Sequence, residues 1–271
     1  MIGRFATPVS VSSSTVATTT PTISVTGGLF GRITATVNNY SSYTNPNFNV
    51  EAKVGSTTTV LDTAVRHTLH TDSTKLSNTI LFDDVSTTTG TRTLYVKAQE
   101  FGDYTPSASA TATYDVSFLQ AAYIRFLIQS SAGANTTSYA GFEDIRFYTA
   151  QQQTGTAYPT TNLTSNTSET GIVVSSGYAY SATYDTWKAA DNSLSSFWWS
   201  ISVPSGSSNW WQIHFEPGTY PTPPLIKSIY LRAGNSVATN FRILTSNTGA
   251  FSGEQTDHGL FSFANTNNYY G

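Results

Sequence analysis

The sequence predicts an all-β protein in two consecutive units, and three observations carry that reading. Apolar and polar residues alternate with period two through most of the apolar segments, as in strands buried on one face. About 80 residues are Ser or Thr, roughly 30% of the chain and far above ordinary usage. Finally, 15 Phe, 16 Tyr and 5 Trp give a large apolar area to a chain with only 11% charged residues. Unfolded segments are poor in aromatics, so this composition predicts a chain folded throughout.

In the first unit, residues 1–118, the alternation runs through residues 33–37, 48–54, 93–98 and 110–116. Threonine takes the wet positions in most of these runs, where its β-branch suits a strand and its hydroxyl stays solvated. Turn chemistry separates them at Gly27-Gly28, residues 44–47, Gly55-Ser56, Gly90 and Gly102-Asp103. About seven short strands at this spacing predict an antiparallel sandwich. Residues 117–122 form a short joint. The second unit, residues 123–271, opens with a strand at 123–128 and continues through 142–148, 172–174, 210–215, 226–231 and 241–244. No internal repeat relates the two halves.

Several function classes are excluded at this level. A net charge of −3 and a pI near 5.7 give no electrostatic footprint for nucleic acid. No apolar run approaches the roughly 18 residues of a membrane span, so no membrane insertion is expected. The start, Met1-Ile2-Gly3-Arg4-Phe5, does not read as a secretory leader. Without cysteine there is no disulfide scaffold and no thiolate site. No nucleophile elbow, P-loop or dinucleotide fingerprint is present, and no carboxylate pair reads as a glycosidase acid and base. The expectation is a protein that is not an enzyme. His67, His70, His214 and His258 have no zinc spacing and read as ordinary imidazoles.

The second unit resembles the discoidin, or coagulation-factor type C, domains and the related galactose-binding-like jelly-roll modules. Four motifs carry the likeness, in the family's order. Ala189-Ala190-Asp191-Asn192-Ser193-Leu194-Ser195-Ser196-Phe197-Trp198 matches the family's Asp-Gly-Asn loop and following Trp, with Asn192 in place of the Gly. Trp210-Trp211-Gln212-Ile213-His214-Phe215 matches the next strand, where His214 and Glu216 replace an Asp and a Gly. The strand from Ile226 to Arg232 and the element Phe241-Arg242-Ile243-Leu244-Thr245-Ser246-Asn247-Thr248-Gly249 complete the set. Residues 123–148 look like the strands that close such a domain, here placed first, an order similar to modules of bacteriophage tail and virion proteins. In the first unit, residues 90–116 resemble the end of a fibronectin type III or immunoglobulin-like domain. The implied fold is an immunoglobulin-like sandwich followed by a discoidin-like jelly roll.

Two constellations follow from the resemblance. In the family, the Asp-Gly-Asn loop and an acidic residue on the closing strand hold a structural Ca²⁺. Asp144, Asp191, Ser193 and Ser196 stand at those positions and supply hard oxygen donors; the other reading is an Asx-turn without metal. Family sugar sites stack loop aromatics on a pyranose face and bond its hydroxyls. Tyr180, Tyr184, Trp199, Arg232 and Asn235 match such loops in position. Trp198 and Trp210 fall on family core positions, while Tyr178, Trp187, Phe197 and Trp211 complete the aromatic crowd. Core packing or a protein–protein interface would use the same residue types.

The expected function is that of a bacteriophage virion structural protein, a tail or baseplate accessory or a capsid decoration. It is made in the host cytoplasm, which the lack of cysteine suits, and displayed on the particle exterior. Its partners would be other virion proteins, copies of itself and host surface carbohydrate. The alternative is a carbohydrate-binding module or adhesin whose main role is sugar recognition.

Overall fold

The computed structural model describes residues 16–43, 46–54, 65–67, 79–83, 89–100, 104–105, 107–133, 139–151, 154–193, 195–200, 209–232, 236–262 and 268–270. Among them strands dominate, and the helical segments are three short 3-10 turns at Tyr40–Ser42, Ala182–Tyr184 and Thr186–Ala189. The chain is all-β, in several mainly antiparallel sheets. It divides into two compact units, residues 1–27, 33–84 and 91–115 in one and residues 28–32, 85–90 and 116–271 in the other.

The first unit carries β1 (Val16–Ala17), β2 (Ile23–Gly27), β3 (Arg32–Val37), β4 (Pro46–Val54), β5 (Val65–His67), β6 (Thr79–Asp83), β7 (Gly90–Glu100), β8 (Tyr104–Thr105) and β9 (Ala110–Val116). The four alternating runs of the sequence are β3, β4, β7 and β9. One sheet has the order β2-β3-β6 and another β5-β4-β7-β9, while β1 and β8 form a parallel pair. Alternation explains the burial. Ile33, Ala35 and Val37 of β3 and Leu94, Val96 and Ala98 of β7 are buried, with Thr34, Thr36, Thr93 and Tyr95 on the wetter side. The pairing of β2 with β3 runs from Ile23 opposite Val37 to Gly27 opposite Ile33.

The second unit carries β10 (Tyr123–Gly133), β11 (Gly141–Phe142), β12 (Asp144–Tyr148), β13 (Ala157–Tyr158), β14 (Ile172–Ser176), β15 (Trp198–Trp199), β16 (Trp210–Phe215), β17 (Ser228–Arg232), β18 (Ser236–Ser246), β19 (Thr256–Ser262) and β20 (Asn268–Tyr270). A seven-stranded sheet has the order β14-β16-β10-β18-β11-β15, with β19 also on β18; a four-stranded sheet has the order β13-β12-β17-β20. Ile124 of β10 pairs with Ile213 and Thr245, and Ile145 of β12 pairs with Leu231. The segment 142–148, read from sequence as one strand, is two. At Glu143 the chain leaves the seven-stranded sheet, where Phe142 pairs with Trp198, and enters the four-stranded one, where Asp144 pairs with Arg232.

The core between these sheets is aromatic. Phe126 on β10 lies 5.3–6.1 Å, ring to ring, from Phe241, Phe142, Phe147 and Trp211. Trp211 stacks on Phe147 at 6.2 Å, and its indole N–H donates to the Thr186 carbonyl at 3.0 Å. On β16 the phase differs from the sequence expectation. Trp211 is fully buried, whereas Trp210, expected in the core, is half-buried on the opposite face. Adjacent strand residues point to opposite sides, so only one of the pair can enter the core.

Glu169 anchors the loop before β14. Its carboxylate accepts the N–H and the hydroxyl of both Thr160 and Thr161 at 2.8–2.9 Å. Burial alone would raise its pKa, but these four donors outweigh it and hold the carboxyl below its ordinary value near 4.5. A depressed folded pKa stabilises above the unfolded value, and that stability is lost as pH falls through the folded one. The Glu169→Gln variant is therefore expected to lose about 1.5–3 kcal/mol at neutral pH and to show a flatter melting profile below pH 4.5 than wild type. Thermal melts from pH 6 down to about pH 3 would check it; parallel acid limbs would contradict it.

Candidate functional site

Of the aromatic residues singled out in the sequence, Tyr180, Tyr184, Phe197 and Trp199 converge in the second unit, in an arrangement the sequence did not specify. Gly141 lies opposite Trp199, and the Ser200 N–H extends the pairing to the Ala140 carbonyl at 2.8 Å. A β-carbon on Gly141 would fall 1.8 Å from the Trp198 carbonyl oxygen, so glycine is what lets the two strands meet. On the other edge of β15, Tyr180 N–H donates to the Trp199 carbonyl at 2.8 Å. The 3-10 turn Ala182–Tyr184, capped by the Ser181 hydroxyl accepting from Thr183 N–H, then brings Tyr184 back over the indole.

Trp199 is the hub of the resulting cluster. Tyr184 stacks on it at 4.2 Å and Tyr139 at 5.1 Å, with Phe197 at 4.5 Å. Tyr180 closes the ring by packing on Tyr139 at 4.4 Å and Tyr184 at 5.8 Å. A hydrogen bond with Tyr180 is the main cause raising the Tyr139 pKa. The indole is only 8% exposed, so Trp199 is not the open stacking platform expected of it. Its Nε1–H, moreover, is buried with no hydrogen-bond partner among the described residues, an uncommon and costly state for a donor. The open surface belongs instead to Tyr178 and Tyr180, 40% and 43% exposed, two residues apart on one loop. Tyr139, 60 residues away in sequence, is the member that the local aromatic crowding could not reveal.

Of the two polar residues assigned to the same face, one is described. Arg232 is half-buried and its Nε is 2.7 Å from Glu143 Oε2, so its guanidinium is already charge-balanced. Asn235 lies outside the described residues.

The expected metal residues do meet. Asn192 stands at φ +57°, the left-handed conformation open to the Gly it replaces. Asp191 accepts the Ser193 N–H at 2.9 Å and the Ser196 hydroxyl at 2.5 Å, an Asx-turn closed on itself. Asp144 is buried beside this loop, and burial raises its pKa; Arg146 and the Asn192 N–H oppose that rise, while Asp191 adds to it. The residues present do not fit a calcium ion. Arg146 lies against Asp144 at 3.2 Å and donates to the Pro159 and Thr161 carbonyls, the oxygens a cation shell would draw on. Among the described residues no group of three His, Cys, Asp or Glu side chains is placed to hold a metal.

A second aromatic arrangement covers the outward side of β10 and β16. The Arg125 guanidinium lies 3.6 Å from the Phe251 ring and 4.0 Å from the Trp210 ring, and donates twice to Gln212 Oε1 at 2.8 and 3.0 Å. Burial lowers its pKa to about 10. Tyr123 stacks on His214 at 4.0 Å, and His258 meets the Thr245 hydroxyl at 2.9 Å. Burial lowers the pKa of both histidines. Compared with family models, curated proteins and solved structures, the chain matches none.

Proposed function

We propose that this chain is a non-enzymatic structural protein of a bacteriophage particle, a tail or baseplate accessory or a capsid decoration, that touches host surface glycans. In this reading residues 1–118 are an immunoglobulin-like sandwich and residues 123–271 a discoidin-like jelly roll with its closing strands first. The observation that carries it is the tyrosine patch. Tyr178 and Tyr180 are two of the three exposed large apolar side chains among the described residues, and Tyr180 packs on the Trp199 cluster through Tyr139 and Tyr184. A pyranose stacks on an exposed tyrosine ring. The rest of the rings hold the platform rigid, which lowers the ordering cost of binding. Assembly with copies of itself and with other virion proteins uses further β surfaces of the chain.

A single site of this size binds weakly, on the order of millimolar to micromolar. Many copies on one particle raise that by about 10²–10⁴ without a new contact. A glycan array of the multivalent protein tests the sugar assignment, with a Tyr178→Ala/Tyr180→Ala variant as the control. The expected result is a restricted set of glycans whose signal falls at least about tenfold in the variant, the loss of roughly one stacked ring. Equal signals from both proteins would remove the patch from the proposal. Sugar binding by a protein that never joins particles would point to the adhesin reading instead.

A further inference from the structure

Asp144 and Arg146 stand two residues apart on β12, so both side chains leave the strand on one face. Ile145 and Phe147 take the other face, toward Phe126 and Trp211. Both members of the pair are more than nine-tenths buried, with side chains 6% and 8% exposed. Around the guanidinium every described partner is an oxygen. Arg146 Nε lies 3.2 Å from Asp144 Oδ1 and 3.4 Å from Oδ2; Nη1 donates to the carbonyls of Pro159 at 3.2 Å and Thr161 at 3.4 Å, and Nη2 to Asn162 Oδ1 at 3.5 Å. One carboxylate, two backbone carbonyls and one amide carbonyl are the donor types that a hard dication gathers. The loop at 191–193 lies against the same carboxylate.

A cation is needed here on electrostatic grounds, because an ionised carboxylate buried this deeply is stable only when paired. Arginine meets the need with a positive charge and a planar fork that reaches several oxygens at once, although among the described residues Asp144 Oδ1, 3.2 Å from its Nε, accepts no hydrogen bond. The bound-ion solution would reach the same oxygens from inside a smaller sphere, about 2.3–2.6 Å from each. The two solutions compete for one space. We infer that Arg146 is the built-in cation of this fold: it ties β12 to the 159–162 loop in place of a metal, the wild-type chain gains nothing from calcium, and removing the side chain turns the same oxygens into a calcium site.

The test is a set of thermal melts of the full chain in EDTA and in millimolar CaCl₂, with calorimetric titration of Ca²⁺. Wild type is expected to melt identically in both and to show no calcium heat at this site. Arg146→Ala is expected to melt lower in EDTA and to recover by about 5 °C or more in calcium, with saturable binding. Arg146→Lys, which keeps a charge but loses the fork, should fall between the two and stay indifferent to calcium. A calcium-dependent rise in wild-type melting temperature would overturn the inference, as would a folded Arg146→Ala protein that ignores the ion. Should Arg146→Ala fail to fold in either buffer, Arg146→Lys decides. A folded, calcium-indifferent lysine variant supports the role of the charge, and an equally unfolded one overturns it.

Discussion

Phe126→Ala is expected to cost the second unit about 3–5 kcal/mol, the range for deleting a buried aromatic side chain. The ring is fully buried and contacts Phe142, Phe147, Trp211 and Phe241, drawn from both sheets, so no single neighbour can close the cavity left behind. Rings packed by edge and face hold each other in place, and the surrounding backbone is strand on every side. Urea unfolding followed by tryptophan fluorescence reads the loss directly, since Trp211 sits 6.1 Å away. A cost under about 1 kcal/mol would mean that the core repacks, against the rigid aromatic centre described here.

Gly141→Ala should be nearly as damaging, for the opposite reason. The added carbon would lie 1.8 Å from the Trp198 carbonyl oxygen and 2.8 Å from its carbon, and those are backbone atoms that move only if β11 parts from β15. Overpacking of this kind costs about 1–3 kcal/mol, and here it also falls 2.9 Å from Trp199 Cδ1. The variant should therefore lose the near-ultraviolet circular dichroism of the stacked Trp199, Tyr139 and Tyr184 rings along with stability. Gly218→Ala is the matched control: its new carbon meets nothing within 4 Å, and its effect should stay within about 0.5 kcal/mol. If the two variants behave alike, the close approach of the strands is not what the glycine serves.

Strand-level features were legible in the sequence because period-two burial writes itself into residue order. The runs around Ile33, Leu94, Ile124 and Ile213 could be read without any partner. The Asp191 loop was legible too, since an Asp followed by Asn or Gly and two serines encodes its own turn, and Asn192 adopts the left-handed conformation that this reading needs. What could not be read was pairing between distant segments. Whether Trp210 or Trp211 faces inward depends on which side of β16 meets the second sheet, and a single strand is consistent with either phase. The break at Glu143 exists because its two flanks join different sheets. Trp199 is covered by Tyr184 and by Tyr139, which arrives just ahead of the neighbouring strand, 60 residues earlier in the chain. Arg146 reads as an ordinary strand residue until Pro159, Thr161 and Asn162 are seen around it.

Stacking aromatics such as Tyr178 and Tyr180 serve a sugar or a protein partner equally well. Placement on a particle separates this proposal from a free adhesin. The most direct measurement is therefore immunogold labelling of gradient-purified phage particles with antibody to this chain, beside mass spectrometry of the same fraction. The chain is expected as a stoichiometric particle component, labelled on the exterior of intact virions, with adsorption to host cells reduced when soluble wild-type protein, but not the Tyr178→Ala/Tyr180→Ala variant, is added. Particles that lack the chain altogether, while the lysate contains it, would rule out a virion role.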